Sequence, residues 1–354
     1  MSNIPTIEEL LREAKRAGAS DVHITVGIPP KMRVNGQLIT MNYDRLLPPD
    51  TLQMLDQFMD ERQRAMFDRD GEHDMSFSIP NLGRYRVNAY RQRGSVAIAL
   101  RLVGTQVPSP EVLGVPESVI DLYQRKKGLI LVTGPTGSGK STTLAAIIDK
   151  INNNRECHVI TLEDPIEYLH QHKKSMVNQR EIGLDSQSYA NALRAALRED
   201  PDVILVGEMR DFETISVAIT AAETGHLVLS TLHTIGAAST VDRVIDVFPP
   251  HQQQQIRVQL ANVLEAVISQ QLIPKADGTG RVAAFEVLHS NHAVRNLIRE
   301  GKAYQLMSVM QTNRKQGMMI MDEAIMQLYY SGMIDREMAI QFATDPDGME
   351  HKII

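Results

Sequence analysis

One segment of the sequence has the residue types and the spacing of a phosphate-binding loop. Its members, with the hydroxyl residue that follows them, are Gly134, Pro135, Thr136, Gly137, Ser138, Gly139, Lys140, Ser141 and Thr142. The segment lies between an apolar run at 128–133 and a helical pattern that starts at Lys140, where backbone N–H groups can face phosphate oxygens. We expect Lys140 to reach the β- and γ-phosphates of ATP, and Ser141 or Thr142 to hold Mg²⁺. The alternative is a glycine-rich turn without a ligand, which the flanking strand and helix disfavour.

Acidic residues follow two later apolar runs. Glu163 ends the first run, Asp164 and Glu167 come shortly after it, and Glu208 follows the second run. Because the carboxyl ends of parallel strands meet at the ligand crevice, we expect these side chains near the γ-phosphate. Glu163 stands directly at its strand end, so we predict that it orients a water molecule and accepts its proton. The alternative, an acid that only caps the following turn, fits Asp164 or Glu167 better than Glu163.

Two histidines flank the next predicted strand. His226 stands at the start of this strand, and His233 follows Thr231 by two residues, so the latter two face the same side if the strand extends that far. A histidine near a phosphate can sense or neutralise charge, whereas an isolated histidine more often makes a structural hydrogen bond. Both interpretations stay open for His233, and the structural one is favoured for His226.

The elements that must position these residues alternate between strands and helices. Apolar strands are predicted at 128–133, 158–162, 203–206 and 226–231, and helices are predicted from Lys140 and near 186–199 and 211–223. This alternation implies a parallel sheet that helices cover on both faces. From about residue 289 the sequence indicates helices only.

The first hundred residues follow a different pattern, which indicates a small α+β domain. A helix is predicted at 6–17 behind a Thr6 cap, and another near 50–67. Six strands are predicted at 21–26, 31–34, 37–40, 74–79, 84–90 and 95–102, with a turn at Asn35-Gly36. Proline and glycine are frequent at 104–116, as in an extended connection. We therefore predict an N-terminal domain at 1–105, a linker at 106–117 and a second domain at 118–354.

Composition narrows the class of protein. The chain has 354 residues, of which 43% are hydrophobic and 23% charged, and its formal charge is -6, which argues against broad electrostatic attachment to nucleic acid. Cys157 is the only cysteine, so neither an internal disulfide nor a four-cysteine zinc site can form. The N-terminus lacks a signal-peptide pattern, and no apolar run approaches the roughly 18 to 20 residues of a membrane span. We expect a cytoplasmic protein that reaches a membrane only through a partner.

With these elements in this order, the chain resembles the secretion ATPase superfamily of type II secretion, type IV secretion and type IV pili. The resemblance extends over nearly all of the sequence. The motifs that carry it are Ala19-Ser-Asp-Val-His-Ile, Gly134-Pro-Thr-Gly-Ser-Gly-Lys-Ser-Thr, Leu162-Glu-Asp-Pro-Ile-Glu-Tyr (the family's Asp box), Gly207-Glu-Met-Arg-Asp (its Walker B) and Ser230-Thr-Leu-His-Thr (its His box).

The resemblance implies a fold, a partner and further roles. It implies an N-terminal PAS-like α+β domain followed by a RecA-like P-loop domain, and a homohexamer that binds ATP between the N-terminal domain of one subunit and the RecA-like domain of its neighbour. Arginines of the N-terminal domain would then reach the phosphates, and Arg86, Arg93 and Arg101 match that region. The family's Walker B assigns Glu208 to Mg²⁺ through a bound water molecule, with Gly207 leaving room for the longer side chain.

Within this superfamily the chain resembles the retraction ATPases of type IV pili. The octet at 293–300, Ala-Val-Arg-Asn-Leu-Ile-Arg-Glu, differs from the retraction signature at Val294 alone, and it places Ala293, Val294, Leu297 and Ile298 on one helical face. The resemblance implies work on an inner-membrane platform protein of the PilC type, with a paralogous retraction ATPase as a further partner that the family allows. The alternatives are a pilus-assembly or type II secretion ATPase and a non-hydrolysing, nucleotide-gated ring subunit. A nucleic-acid translocase is a weaker third alternative.

Overall fold

The computed structural model describes residues 4–34, 36–80, 82–103 and 107–353. The chain divides into two compact units, one of residues up to Gln106 together with Glu167–Leu169, and the other of the remainder from Val107 onward. Asn35 of the predicted turn and residues 104–106 of the predicted linker lie outside the described residues. The domain limits given above remain a prediction.

The first unit is built on an antiparallel sheet. Its strands are β1 (Asp21–Ile24), β2 (Lys31–Val34), β3 (Gln37–Thr40), β4 (Glu72–Ile79), β5 (Gly83–Gln92) and β6 (Ser95–Val103). Its helices are α1 (Ile7–Arg16), α2 (Pro48–Asp56) and α3 (Glu61–Asp70). Within the described residues the strand order is β3-β2-β1-β6-β5-β4. The apolar faces of α1 to α3 and of the sheet enclose one core, as the predicted α+β pattern requires.

Helix α1 begins where the sequence predicts. The hydroxyl of Thr6 accepts the N–H of Glu9 at 3.2 Å, and the carboxylate of Glu9 accepts the N–H of Thr6 at 2.8 Å, which is a reciprocal capping box. The buried residues of the helix are Ile7, Leu10, Leu11 and Ala14. Their spacing of three and four residues therefore gives the helix its core-facing stripe.

The single helix predicted near 50–67 is instead two helices, α2 and α3. The carboxylate of Asp60 accepts the N–H of Gln63 at 2.7 Å, and the side chain of Gln63 accepts the N–H of Asp60 at 3.1 Å. An aspartate cap starts a new helix rather than continuing the old one, because its side chain takes the place of a helical hydrogen bond. The break still lets Leu55 and Phe67 reach the same core.

The second unit contains a mixed sheet. Its strands are β7 (Gly128–Thr133), β8 (His158–Glu163), β9 (Met176–Glu181), β10 (Val203–Val206), β11 (Leu227–Leu232), β12 (Leu264–Pro274) and β13 (Arg281–His289). Within the described residues the order is β13-β12-β7-β11-β10-β8-β9, and only β13 runs antiparallel to its neighbour. The predicted parallel sheet therefore gains an antiparallel edge strand that the sequence pattern did not predict.

Helices cover both faces of this sheet. They are α4 (Glu117–Ile120), α5 (Lys140–Asn154), α6 (Tyr189–Ala196), α7 (Phe212–Glu223), α8 (Ala237–Asp246), α9 (Pro250–Val263), α10 (His292–Arg299), α11 (Leu306–Thr312), α12 (Met321–Tyr330), α13 (Arg336–Phe342) and α14 (Pro346–Lys352). In β7, Leu129 and Leu131 pack into one core cluster, while Ile130 and Val132 pack into the cluster on the other face. Two covered faces explain why β7, β10 and β11 are buried along their whole length. None of the helices in the described part of the chain is long and apolar enough to cross a membrane.

Candidate functional site

The phosphate loop joins β7 to α5. Gly134 and Gly139 have φ angles of 139° and 89°, which residues other than glycine rarely adopt. A Cβ atom at Gly134 would also lie 2.2 Å from the carbonyl oxygen of Gln270. Lys140 is 8% exposed, and its ammonium group donates to the carbonyl oxygens of Gly134 at 2.8 Å and Pro135 at 3.0 Å. The local backbone therefore demands glycine, and the lysine charge lies inside the loop.

The loop has the groups that phosphate binding requires. Ser138 is 2% exposed, and its hydroxyl oxygen has no hydrogen-bond partner among the described residues. The loop tip from Pro135 to Gly137 is exposed, and Ser141 is exposed on the first turn of α5. A buried, unsatisfied hydroxyl beside a lysine and a helix start fits an anionic ligand. The predicted ATP-binding residues thus form one continuous cradle.

Gln270 is part of this cradle, although the sequence analysis did not single it out. It is 3% exposed on β12, and its side-chain oxygen accepts the hydroxyl of Thr143 at 2.7 Å. Its side-chain nitrogen would lie 2.9 Å from a Cβ atom at Gly139. The signal that could have revealed it is a pair of glutamines, Gln270 and Gln271, inside a strand whose flanking residues include the apolar runs Ala266–Ile268 and Leu272–Ile273.

The sheet register places the predicted acids along the edge that carries the phosphate loop. Leu162, Val206, Ser230 and Leu131 lie in one row across β8, β10, β11 and β7. The next residues along each strand therefore meet at the same edge. With neighbouring strands about 4.8 Å apart, β10 is about 10 Å and β8 about 14 Å from β7. The end of β10 is thus nearer to the loop than the end of β8.

Glu163 ends β8 and is half-buried. One of its carboxylate oxygens accepts the hydroxyl of Thr161 at 2.6 Å and the side-chain N–H of Gln179 at 3.1 Å. Both donors are uncharged, so they orient the carboxylate without neutralising it. A carboxylate held in this way can accept a proton from water, which is the role predicted for Glu163.

Glu208 is held by two basic side chains. Its Oε2 atom lies 2.7 Å from Nε of Arg210 and 3.3 Å from Nε2 of His233. His233 reaches Glu208 although β11 ends one residue earlier, at Leu232. Arg210, for which the sequence indicated no role, is the ion-pair partner of Glu208. The neighbouring Asp211 caps α7 by accepting the N–H of Thr214 at 2.8 Å.

Gly207 makes room for a different group from the one expected. We expected it to leave space for Glu208, but a Cβ atom here would lie 2.8 Å from the hydroxyl oxygen of Tyr189 and 3.1 Å from the carbonyl oxygen of Leu162. The hydroxyl of Thr231 donates to the carbonyl of Gly207 at 2.6 Å. Burial, reinforced by the charges of Asp164, Glu208 and Glu163, raises the pKa of Tyr189. The phenol therefore stays protonated among these carboxylates.

The structure does not bring His226 to this edge. His226 precedes β11, whereas His233 follows it, and the strand between them has six residues. Seven residue steps of about 3.3 Å each place the two histidines about 23 Å apart along the strand direction. Nδ1 of His226 lies 2.9 Å from the carbonyl oxygen of Ala221, which is a structural contact. We therefore leave His226 out of the proposed site.

The three predicted arginines of the first unit lie on β5, β6 and the turn between them. Arg86 and Arg101 are opposite each other across β5 and β6. The Nε atom of Arg101 lies 2.8 Å from a carboxylate oxygen of Asp21. Arg93 lies in the turn with a φ angle of 48°. All three are exposed on the surface of this unit.

Residues 293–299 of the octet lie in helix α10, and Glu300 is the C-terminal cap of that helix. Val294 and Ile298 are buried and Leu297 is partly buried, but Ala293 is exposed, so the expected apolar face is narrower by one residue. Arg295 turns toward β12, where it lies 3.6 Å from the carboxylate of Glu265. The polar face of the octet is therefore partly engaged within this unit.

Comparisons with known proteins agree with these motifs. The family model described as "Type II/IV secretion system protein" matches residues 2–341. The type IV pilus retraction ATPase PilT of Pseudomonas aeruginosa is 47% identical over 96% of this chain and 99% of its own. A twitching motility protein of Neisseria gonorrhoeae is 48% identical over 90% of this chain and 86% of its own.

A solved structure described as the pilus retraction motor PilT with bound ADP has a TM-score of 0.92 and 50% identity. The match covers 98% of this chain and 99% of that one. The predicted fold class, an N-terminal α+β domain followed by a RecA-like domain, is therefore confirmed. The family predicted from the motifs is confirmed as well, and the chain belongs to the Type II/IV secretion system protein family.

Proposed function

We propose that this chain hydrolyses ATP as a subunit of a hexameric motor that powers the retraction of type IV pili. The observation that carries the proposal is the gathering of the phosphate loop, Glu163 and Glu208 along one edge of one sheet. The similarity to a retraction ATPase over the full chain, and to a pilus motor that binds ADP, supports it.

Each site residue has a role that follows from its chemistry. Backbone N–H groups of the loop and the ammonium of Lys140 bind the phosphates, and the charge of Lys140 is available once it leaves the loop carbonyls. Glu163 orients the attacking water and takes its proton as the water oxygen bonds to the γ-phosphorus, while the bond from that phosphorus to the β-phosphate oxygen breaks and ADP leaves. Ser141 and Glu208 would hold Mg²⁺, which supplies positive charge beside the transferred phosphoryl group. His233 fixes Glu208 by its contact at 3.3 Å.

We also propose that Arg86, Arg93 and Arg101 act on the nucleotide of a neighbouring subunit in a homohexamer. Phosphoryl transfer needs positive charge around the transferred group, and among the side chains of the phosphate loop only Lys140 supplies it. The exposure of these arginines on one strand pair is compatible with such a role. Their replacement should lower kcat without altering the fold of either unit.

The ring is proposed to act at the cytoplasmic face of the inner membrane. Its partner there is a platform protein of the PilC type, and a paralogous retraction ATPase is a second proposed partner. The octet at 293–300 favours retraction over assembly, and we assign it to coupling rather than to hydrolysis. Nucleic acid is not among the proposed partners, since a formal charge of -6 does not favour it.

Steady-state phosphate release from the purified chain tests the enzymatic part. Lys140→Ala should abolish release, whereas Lys150→Ala on the same helix is the matched control and should not. Glu163→Gln should bind ATP and stall, and Glu208→Ala should also weaken Mg²⁺-dependent binding. Equal Mg²⁺ titrations for both variants would contradict the assignment of Glu208, and absence of release from the parent chain would favour a non-hydrolysing ring subunit.

A deletion strain tests the biological part. Cells with many surface pili and no twitching support retraction, because fibres would assemble and not be withdrawn. Cells without pili would instead favour assembly or secretion. Replacement of Arg295 by glutamine should leave ATP hydrolysis within about twofold while it abolishes twitching, if the octet couples hydrolysis to retraction.

A further inference from the structure

Glu286 is a buried carboxylate on β13, outside the site described above. It is 7% exposed. Its Oε1 atom accepts the N–H of Ala237 at 2.7 Å, and its Oε2 atom accepts the N–H of Met321 at 3.2 Å. These N–H groups begin α8 and α12, so one charge lies between two helix N-termini. Burial raises the pKa of Glu286, while the two backbone donors oppose that rise.

The first of these helices is connected to the nucleotide site. Gly236 precedes α8, and its N–H donates at 3.0 Å to the hydroxyl of Ser269, which lies opposite Glu286 across β12 and β13. The hydroxyl of Thr240 donates at 2.7 Å to the carbonyl of Gly236. Only two residues separate Gly236 from His233, which contacts Glu208. The position of His233 therefore depends on how the start of α8 is held.

The second helix belongs to the C-terminal helices. Met321 and Ile325 of α12 pack in a separate core cluster with Ile334, Ala339 and Met349. A cavity of about 120 Å³ lies beside Glu286, and its walls include Ala238 of α8 and Met321 of α12. Side chains thus leave a space between the two helix starts at this point. Glu286 supplies the direct link across it.

We propose that Glu286 is a positioning residue that ties His233, and through it Glu208, to the placement of α12 and the C-terminal helices. When α12 moves, the hydrogen bond from Met321 shifts the carboxylate of Glu286. The hydrogen bond from Ala237 to the other carboxylate oxygen then shifts the start of α8 and the segment that follows His233. The inference deepens the proposed ATPase function and depends on it, because it specifies how the C-terminal helices influence hydrolysis.

Glu286→Gln is the first test. Glutamine has nearly the same shape, but its NH₂ group cannot accept a helix N–H, so one of the two links is lost. We expect kcat for MgATP to fall about tenfold, while KM for ATP stays within about twofold. Asp335→Asn is the matched control, because it is the same carboxylate-to-amide change at a residue that caps α13 of the same C-terminal helices by accepting the N–H of Met338 at 2.8 Å. It should leave kcat within about twofold.

A double-mutant cycle with His233→Ala separates positioning from general destabilisation. If Glu286 acts through His233, then Glu286→Gln causes no further fall of kcat in the His233→Ala background. Falls that multiply, or an unchanged kcat in His233→Ala itself, overturn the proposal. A parent chain that releases no phosphate contradicts the proposed function instead, which keeps the two failures distinct.

Ser269→Ala keeps the proposal testable if variants of Glu286 do not fold, and hydrogen–deuterium exchange adds a structural measurement if they do. Ser269→Ala removes only the link to Gly236, and we expect it to lower kcat several-fold in the same non-additive way with His233→Ala. In Glu286→Ala, which removes both acceptor oxygens, amides at the starts of both α8 and α12 should exchange faster than in the parent chain. Faster exchange at only one helix start shows that the carboxylate does not join the two helices.

Discussion

Alanine at position 207 tests how tightly the strand end before Glu208 is packed. A Cβ atom on Gly207 would lie 2.8 Å from the hydroxyl oxygen of Tyr189, 3.1 Å from the carbonyl oxygen of Leu162 and 3.5 Å from Cα of Glu163. The first distance is far inside van der Waals contact, so the ring or the strand end must move. Overpacking of this kind costs about 1–3 kcal/mol. Alanine also lowers the conformational entropy of the unfolded chain, which offsets about 0.4–1 kcal/mol of this cost. We therefore expect Gly207→Ala to lower the free energy of unfolding by about 1 kcal/mol.

Tyr189→Phe should relieve most of this cost. Without the hydroxyl, the shortest contact that remains for the added Cβ atom is the 3.1 Å distance to Leu162. In the Tyr189→Phe background, Gly207→Ala should therefore change stability by less than about 0.5 kcal/mol, which makes the two substitutions non-additive. Because Glu208 follows Gly207 directly, kcat should fall in Gly207→Ala and recover in the double variant.

Native-state hydrogen exchange of the β10 amides measures the free energy of unfolding for the unit that holds the site. Steady-state phosphate release measures kcat in the same four proteins. Tyr304→Phe serves as the control, because Tyr304 is 72% exposed and should not rescue Gly207→Ala. If Gly207→Ala costs the same with tyrosine or phenylalanine at 189, to within about 0.3 kcal/mol, the packing argument is refuted.

Three further predictions address other parts of the chain. Burial lowers the pKa of His170 from 6.5 to about 4, so as the pH falls the unfolded chain binds the proton before the folded chain does. The contribution of neutral His170 to the free energy of unfolding should therefore be fully present above pH 6.5 and fall by up to about 3 kcal/mol toward pH 4. His170→Gln should flatten this dependence in urea titrations at several pH values. Asp60→Ala removes the cap of α3 and should lower the stability of the first unit by about 1 kcal/mol, measured by exchange of α3 amides, with Arg62→Ala on the exposed face of the same helix as the unchanged control. Thr161→Val removes the 2.6 Å donor to Glu163 and should lower kcat several-fold with ATP affinity unchanged, whereas equal kcat would show that the Thr161 hydroxyl does not orient the carboxylate.

Much of the nucleotide site could be predicted because its residues are adjacent in sequence. The phosphate loop needs only a strand, a glycine-rich turn and a helix start in succession, and Gly134 to Thr142 supply them locally. The acids at 163 and 208 could be expected at the same edge, since parallel strands bring their carboxyl ends together. Their distances from the loop could not be predicted, because the strand order β7-β11-β10-β8 is a property of the whole sheet.

Other residues of the site come from distant positions and carried no local signal. Tyr189 reaches Gly207 only after α6 has packed on the sheet, and Gln270 reaches the phosphate loop only after β12 has paired with β7. The ion pair of Arg210 with Glu208 was also missed, because a charge two residues beyond a strand end can equally face solvent. The break between α2 and α3 was missed for a different reason. An aspartate within a helical pattern can be an exposed residue of one continuous helix or the cap that starts a new one, and Asp60 is the cap.

The sequence by itself determined the fold class, the phosphate loop, the family and the two carboxylates. Each depends on residues that are neighbours in the chain or on the alternation of strands and helices along it. Only the tertiary structure decided that His233 contacts Glu208 while His226 lies at the far end of β11. It alone placed Tyr189 against Gly207, and it joined β13 to two helix starts through Glu286. The physical reason is that such contacts join residues from 18 to 49 positions apart, as for Gly207 with Tyr189 and Ala237 with Glu286, and depend on strand order, register and helix packing rather than on local pattern.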